Sequence, residues 1–259
     1  MDLKQVDIDQ RVNASKNDFF DSTYNRVYSD LLNIELADQL SFLRKTYLEK
    51  KLKSELSILD LCCGTGRHLL PLNKDGYKVD GVDINKEYVS VASRKLDSIS
   101  SGKVYVADAQ NFSNSHRYNL IYSMESSIGY LPDKQTVQIL KNLKQNLLTV
   151  DGIFVLHLIN RDYLIKNLGE RMWFGNERAG YVLERREFDS QKGAIQIEQI
   201  RIIDGISREF SVEMRLYSLQ EIKVLLEQAG LQISQIYGNY NNGKFDISSP
   251  YMILECRLN

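Results

Sequence analysis

The stretch Ile58-Leu59-Asp60-Leu61-Cys62-Cys63-Gly64-Thr65-Gly66-Arg67-His68 constrains the fold of this chain more than any other segment. Its apolar start fits a buried strand, its two glycines a tight turn, and the residues beyond them the start of a helix. Glycine has no Cβ, so a ligand can come close to the backbone of such a turn. Asp83 follows about twenty residues later, at the end of the next apolar run, where an acid can hold a ribose diol. Strand, glycine turn and downstream acid together outline a pocket for an adenosine-bearing cofactor.

Strand and helix patterns alternate around that turn. Strands are predicted at 56–61, 77–82, 104–107, around 120–123 and at 153–159, with helices at about 65–74, 86–96 and 133–147. Upstream, Phe19, Phe20, Tyr24 and Tyr28 bring aromatics together, and 31–52 has helical apolar spacing. The run at 153–159 is continuously apolar, as in strands buried on both faces of a parallel sheet. Alternation of this kind predicts a doubly wound α/β sheet. After Asn160 the pattern changes to long, charge-rich, alternating segments at 181–188, 195–203 and 209–217, with turn signals at Asp189-Ser190-Gln191-Lys192-Gly193 and Asp204-Gly205. They predict a three-stranded antiparallel meander whose charges, among them Glu184, Arg185, Arg186, Glu187 and Arg201, read as a solvated face or as a cover over a site. A helix at 218–228 ending at Gly230 and strands at 231–238 and 251–257 complete the chain.

Composition narrows the function classes. A formal net charge of −1 gives no overall attraction to nucleic acid or to an acidic membrane. The N-terminus is too polar for a signal peptide and no apolar run approaches a membrane span. Residues 1–17 are polar, and a loosely held end is expected there. Of the three cysteines, Cys62 and Cys63 are adjacent, and no CxxC or cysteine–histidine spacing suggests a metal. A cytoplasmic protein without a metal is expected.

The glycine turn admits several ligands. Leu69 occupies the third position of a GxGxxG fingerprint, and the lysine of a Walker loop is missing. A tight turn with no ligand also stays open. The neighbouring residues point elsewhere. Asp60-Leu61-Cys62-Cys63-Gly64-Thr65-Gly66 resembles the first motif of class I S-adenosylmethionine-dependent methyltransferases, Val82-Asp83 their second, Val106-Ala107-Asp108-Ala109 their third-strand acid, and Tyr118-Asn119-Leu120-Ile121-Tyr122-Ser123 their fourth strand. Phe20-Asp21-Ser22-Thr23-Tyr24-Asn25-Arg26-Val27-Tyr28 is similar to the N-terminal lid of small-molecule members, and Glu125-Ser126-Ser127-Ile128-Gly129-Tyr130-Leu131 to a loop of bacterial sugar-amine N-methyltransferases. Asn160-Arg161-Asp162-Tyr163, Trp173, the meander and the Tyr237-Gly238 segment extend the likeness over nearly the whole chain. Two positions depart from the pattern: Cys62, where relatives more often have glycine or alanine, and His157, where they often have aspartate.

The resemblance implies a Rossmann-like methyltransferase sheet, mostly parallel with an antiparallel last strand. It further implies a lid and helix at 1–52, a cofactor-binding domain at 53–160 and 218–259, and a β insertion over the acceptor site at 161–217. S-adenosylmethionine would lie on Gly64 and Gly66, with Asp60 at its amino group, Asp83 at the ribose beside Ile84, Asp108 and Ala109 at adenine, and Ser123 and Met124 on the far side. Tyr24 and Tyr28 would close over the sulfonium, and Arg26 would hold the carboxylate. For each acid a structural alternative stands: a strand-end turn for Asp60, a helix N-cap for Asp83, a loop acid for Asp108. His157 is the candidate base and lines the acceptor site together with Glu125, Tyr130 and Trp173; Trp173 otherwise anchors the meander on the core. His68 and His116 carry no case.

The expected activity is methyl transfer to nitrogen or oxygen of a small molecule, without a nucleic acid or membrane partner; a homodimer is left open. Methylation of tRNA or protein is the alternative, but the Asn/Asp-Pro-Pro-aromatic tetrad is replaced by Ser123-Met124-Glu125-Ser126. A non-catalytic cofactor binder and a dehydrogenase are the remaining classes.

Overall fold

The computed structural model describes residues 19–99 and 102–259; the expectation for residues 1–17 lies outside the described residues. Along the chain come α1 (Ser22–Asn33), α2 (Leu36–Leu43) running on into a wider turn at Arg44–Leu48, β1 (Ile58–Leu61), α3 (Leu69–Lys74), β2 (Val79–Asp83), α4 (Lys86–Leu96), β3 (Val104–Val106) and β4 (Tyr118–Ser123). Then follow α5 (Asp133–Asn142), β5 (Leu148–Ile159), α6 (Arg161–Lys166), β6 (Arg171–Asn176), β7 (Gly180–Asp189), β8 (Ala194–Ile203), β9 (Ile206–Arg215), α7 (Leu219–Gln228), β10 (Leu231–Tyr237) and β11 (Tyr251–Leu258). The chain divides into a larger unit, 35–166 with 216–259, and a smaller one, the described part of 1–34 with 167–215.

The larger unit is a seven-stranded sheet in the order β3-β2-β1-β4-β5-β11-β10. β1 to β5 run parallel, and β11 runs antiparallel to β5 and β10. This is the doubly wound sheet with an antiparallel last strand that the alternating pattern predicts. Every residue of β1 is buried, as a central parallel strand covered on both faces requires. Leu40, Leu43, Leu69 and Leu72 cover one face, and Ile139, Leu140, Ile222 and Leu226 the other. Caps set the helix starts. Asn85 accepts the Glu87 and Tyr88 amides ahead of α4, and Ser218 with Glu221 forms a capping box ahead of α7.

Some boundaries differ from expectation for local reasons. The helix after the glycine turn begins at Leu69, not near Thr65, because Cys62, Gly64 and Gly66 all have positive φ and no right-handed helix can include them. The long helical stretch at 31–52 divides between the end of α1 and α2. β5 begins five residues early, since Leu148 already pairs with Tyr118 before a register shift to Leu120 and Ile153.

The smaller unit is a four-stranded antiparallel sheet, β6-β7-β8-β9, where three strands are expected. The extra strand, β6, has no buried residue and so lacks the apolar alternation that would reveal it. Val27 and Tyr28 of α1 pack on Val182. The charges do not all face water: Glu184 and Arg201 are 4% and 1% exposed. Arg201 sits over the rings of Phe19, Tyr24 and Phe210 and binds Asp21, Thr23, Gln199 and the Phe19 carbonyl.

Candidate active site

The glycine turn sits at the C-terminal end of β1, between β2 and β4, where open α/β sheets bind ligands. Gly64 and Gly66 have φ of +54° and +83°. Cys62 has φ of +62°, the backbone that explains glycine as the more frequent residue there. The Gly64 amide donates to Asp83 Oδ2 at 2.8 Å, and the Asn85 amide donates to Asp83 Oδ1 at 2.8 Å. Burial pushes the Asp83 carboxyl above its ordinary value, while the Asn85, Gly64 and Ile84 amides pull it back. The cap of α4 is Asn85, so Asp83 does not serve as the helix N-cap that its position also suggested. Ile84 is exposed beside it. Asp108 sits in the loop after β3, where both its carboxylate oxygens are held by Gln110, and Ala109 is buried next to it.

Deeper in the turn, Asp60, Ser123 and Met124 are all buried. Apart from the interaction between the Asp60 carboxyl and the Tyr122 hydroxyl, Asp60 Oδ2, Ser123 Oγ and the Tyr122 hydroxyl make no hydrogen bond. Burial pushes the Asp60 carboxyl up to about 8, against the pull of Tyr122 and Arg67. Orphaned buried polar atoms beside a glycine turn are what a ligand with an ammonium and hydroxyls would satisfy. The residues present therefore fit an S-adenosylmethionine-type cofactor.

A second constellation joins the ends of β4 and β5 to α2. Gln39 is 1% exposed and is its hub. Its Nε2 donates to Glu125 Oε1 and to the Tyr240 hydroxyl, and its Oε1 accepts from Arg67 and from His68 Nε2. Arg67 also donates to Glu125 Oε1 at 3.0 Å. Burial works to raise the Glu125 carboxyl, but His157, Arg67 and Gln39 together hold it below its ordinary value. Glu125 and Ser126 both take positive φ, 59° and 57°, in the loop after β4. That left-handed pair is pinned by β5: the Glu125 amide donates to His157 Nδ1, the Ser126 amide to the His157 carbonyl, and the Ile159 amide to Ser126 Oγ.

His157 is fully buried, and burial lowers its pKa despite Glu125. Since Nδ1 accepts the Glu125 amide, a neutral ring carries its proton on Nε2 and donates it to the Tyr240 hydroxyl at 2.8 Å. Both nitrogens are engaged, so a base role would require the ring to give up one of these bonds. Tyr240 and Tyr251 stack on each other, and both donate to Glu35 Oε2. Tyr130 ends the short turn Ser127–Tyr130, half-buried.

The remaining candidates lie in the smaller unit. Tyr24 stacks on Tyr28 at 4.5 Å, and the Tyr28 hydroxyl donates to Glu184 at 2.7 Å. Arg26 already grips a carboxylate, donating from both terminal nitrogens to Asp204. Trp173 is 72% exposed on β6, so it does not anchor the sheet to a core.

Sequence reasoning missed Glu35, Gln39, Arg67, Tyr122, Tyr240 and Tyr251. One signal was present: Gln39 falls between Leu36, Leu40 and Leu43 on the apolar stripe of α2, where a polar side chain needs buried partners.

The strand order, the glycine turn, and the acids after β1, β2 and β3 define the class, a Rossmann-like methyltransferase fold. Residues 58–149 match the family model described as a methyltransferase domain. A methyltransferase structure from Streptomyces caelestis, CcbJ, superposes with a TM-score of 0.74 at 18% identity, covering 91% of this chain and 98% of that one. An S-adenosylmethionine-dependent methyltransferase from Clostridium acetobutylicum gives 0.75 at 19% identity, covering 90% and 96%. Both likenesses concern the fold. In sequence, the dTDP-3-amino-3,6-dideoxy-alpha-D-glucopyranose N,N-dimethyltransferase of Streptomyces fradiae is 25% identical over 202 residues, 70% of this chain and 72% of that protein. Among the described residues no helix is long and apolar enough to cross a membrane.

Proposed function

We propose that this enzyme methylates the nitrogen of a small-molecule amine, with an amino sugar as the first acceptor to test. The observation that carries the reading is the Glu125 carboxylate. Its Oε1 is clamped by Gln39 and Arg67, while Oε2 makes no hydrogen bond among the described residues, and the side chain is 38% exposed. A fixed carboxylate with one open oxygen suits the N–H groups of an amine. The engaged state of His157 supports the same choice: a hydroxyl acceptor gains from a base, whereas an amine needs only its neutral form. The amino-sugar N,N-dimethyltransferase among the relatives adds support from outside the chain.

When bound, S-adenosylmethionine supplies the electrophilic methyl group. In this reading Asp83 holds the ribose hydroxyls, Asp108 and Ala109 the adenine, and Asp60 the amino group, with Gly64, Gly66, Ile84, Ser123 and Met124 around them. Glu125 orients the acceptor nitrogen, Tyr130 borders it, and His157 acts through the Glu125 backbone as a positioning residue. Tyr24, Arg26, Tyr28 and Trp173 belong to the smaller unit, where Tyr24 stacks on Tyr28, Arg26 binds Asp204 and Tyr28 binds Glu184.

The test is transfer of labelled methyl from S-adenosylmethionine to paired acceptors, amino sugars and alkylamines against the matching hydroxyl compounds and phenols. Label on the amines only, with Glu125→Gln raising KM for the amine at unchanged cofactor affinity, is the expected result. Label confined to hydroxyl acceptors would sink the proposal.

A further inference from the structure

Tyr240 stands in the connection between β10 and β11, and local bonds shape that connection. Asn239 Oδ1 accepts the Asn241 and Gly243 amides, the Gly238 amide donates to the Gly243 carbonyl, and Thr46 Oγ1 donates to Asn242 Oδ1. The Tyr240 ring stacks on Tyr251 with centroids 4.9 Å apart, and Tyr251 also packs on His157 at 4.8 Å. The Tyr240 hydroxyl meets three groups: Gln39 Nε2 at 3.0 Å, His157 Nε2 at 2.8 Å and Glu35 Oε2 at 3.4 Å.

Each direction in this network follows from groups with only one possible role. Arg67 has donors alone, so the Gln39 atom facing it is Oε1, and the atom facing Tyr240 and Glu125 is Nε2. A hydroxyl has one proton and two lone pairs. Burial pushes the Tyr240 phenol up, so it keeps that proton. A carboxylate only accepts, so the proton goes to Glu35, where Tyr251 also donates. Gln39 Nε2 fills one lone pair of the oxygen, and the other is left for the His157 ring. His157 then carries its proton on Nε2, which leaves Nδ1 as the acceptor that the Glu125 amide requires.

We infer that Tyr240 is a positioning residue for the acceptor: held by Glu35, its hydroxyl selects the Nε2–H tautomer of His157, and that tautomer holds the left-handed Glu125 loop in place. The inference rests on the amine reading above and goes beyond it in assigning Tyr240 and Glu35. Without the hydroxyl, only the Glu125 amide selects the tautomer, and the buried Nε2–H has no partner. A proton on Nδ1 instead faces the Glu125 amide, donor against donor. It releases a pair, Glu125 and Ser126, whose φ values of 59° and 57° are unfavourable for residues other than glycine.

Long-range proton–nitrogen NMR of the imidazoles reads the tautomer; the chain has three histidines, and His157→Gln identifies the His157 signals. Wild type is expected to show the Nε2–H form alone. In Tyr240→Phe the Nδ1–H form should rise to about a tenth or more of the neutral ring. With glucosamine as the acceptor probe, Tyr240→Phe should raise KM about fivefold or more, with kcat changed less and S-adenosylhomocysteine affinity kept. Glu35→Gln brings an amide N–H to the two tyrosine hydroxyls and frees the Tyr240 proton to turn to His157. It should shift tautomer and KM in the same direction, and it decides the point if Tyr240→Phe does not fold. A wild-type ring protonated on Nδ1, a tautomer unmoved in the folded variants, or a KM unmoved by a shifted tautomer overturns the role of Tyr240. Equal losses in KM and in S-adenosylhomocysteine affinity overturn it too, as a general loosening of the site. Failure of wild type to methylate glucosamine would instead overturn the amino-sugar reading, while the imidazole spectra still decide whether Tyr240 sets the ring.

Discussion

The backbone amide of Gly64 donates to Asp83 Oδ2 at 2.8 Å, so the turn after β1 is tied to the carboxylate that ends β2. The acid thus does two jobs. It holds the glycine turn in its left-handed shape, and in the proposed reading it accepts ribose hydroxyls through its remaining lone pairs.

Removing that carboxylate should therefore cost both stability and affinity. Asp83→Ala strands the Gly64 and Asn85 amides and is expected to weaken S-adenosylhomocysteine binding by about 1–3 kcal/mol, roughly five- to more than a hundredfold. Calorimetric titration measures the affinity and a thermal melt the stability. Unchanged affinity would remove Asp83 from the cofactor site; a lowered melt alone would leave it only the turn-holding role.

The Asp60 carboxyl makes the free protein's stability fall as pH rises. Its pKa is about 8 when folded against an ordinary 3.8, so the folded chain binds the extra proton between those values. Stability is then full below about pH 4 and is lost towards pH 8, with a slope of at most ~1.4 kcal/mol per pH unit from this group. Asp60→Asn has no such proton, so the melting temperature of the variant relative to wild type should rise steadily from pH 5 to pH 8. A constant difference across that range would mean that Asp60 is ionised in the free protein.

The parts of this molecule legible in the sequence are those where local pattern and burial agree. The run at 153–159 reads as a central strand because both its faces are covered. The glycine turn and an acid at Asp83, at the end of the next strand, follow from a motif with a fixed spacing. What stayed hidden depends on partners far along the chain. Gln39 meets Tyr240 across 201 positions, and Arg201 meets Asp21 across 180. Charge alternation on β7 and β8 reads as a wet face, yet the register pairs Glu184 with Gln199 and Val182 with Arg201 on the covered side. A local pattern marks at most a buried polar position such as Gln39 and never its partners, because such polar residues are tolerated inside only when every partner arrives.

His157 should behave as a positioning residue whose conservative replacement rescues. Glutamine can accept the Glu125 amide and donate towards Tyr240, whereas leucine can do neither. With an amine acceptor, His157→Gln is expected to retain methyl transfer within about tenfold of wild type, ~1.4 kcal/mol in barrier, while His157→Leu falls much further. Cofactor affinity should stay at the wild-type value in both. Equal inactivity of the two variants, together with loss of the acid limb of the rate–pH profile, would make His157 a base.

Arg201 should be the residue on which the smaller unit depends most. It is 1% exposed, its guanidinium spends donors on Asp21, Thr23, Gln199 and the Phe19 carbonyl, and its Cζ lies 4.0 Å from the Phe210 ring centroid. Arg201→Ala leaves Asp21 without its closest cation and empties the space between three rings, a loss expected at about 3–5 kcal/mol. Lysine carries the charge but not the planar fork, so Arg201→Lys should recover only a small part. Thermal melts followed by limited chymotrypsin digestion check both points, with cleavage expected first among the aromatic residues of α1 and the antiparallel sheet. A wild-type melt for Arg201→Lys would show that charge alone, without the fork and the ring contacts, holds this unit together.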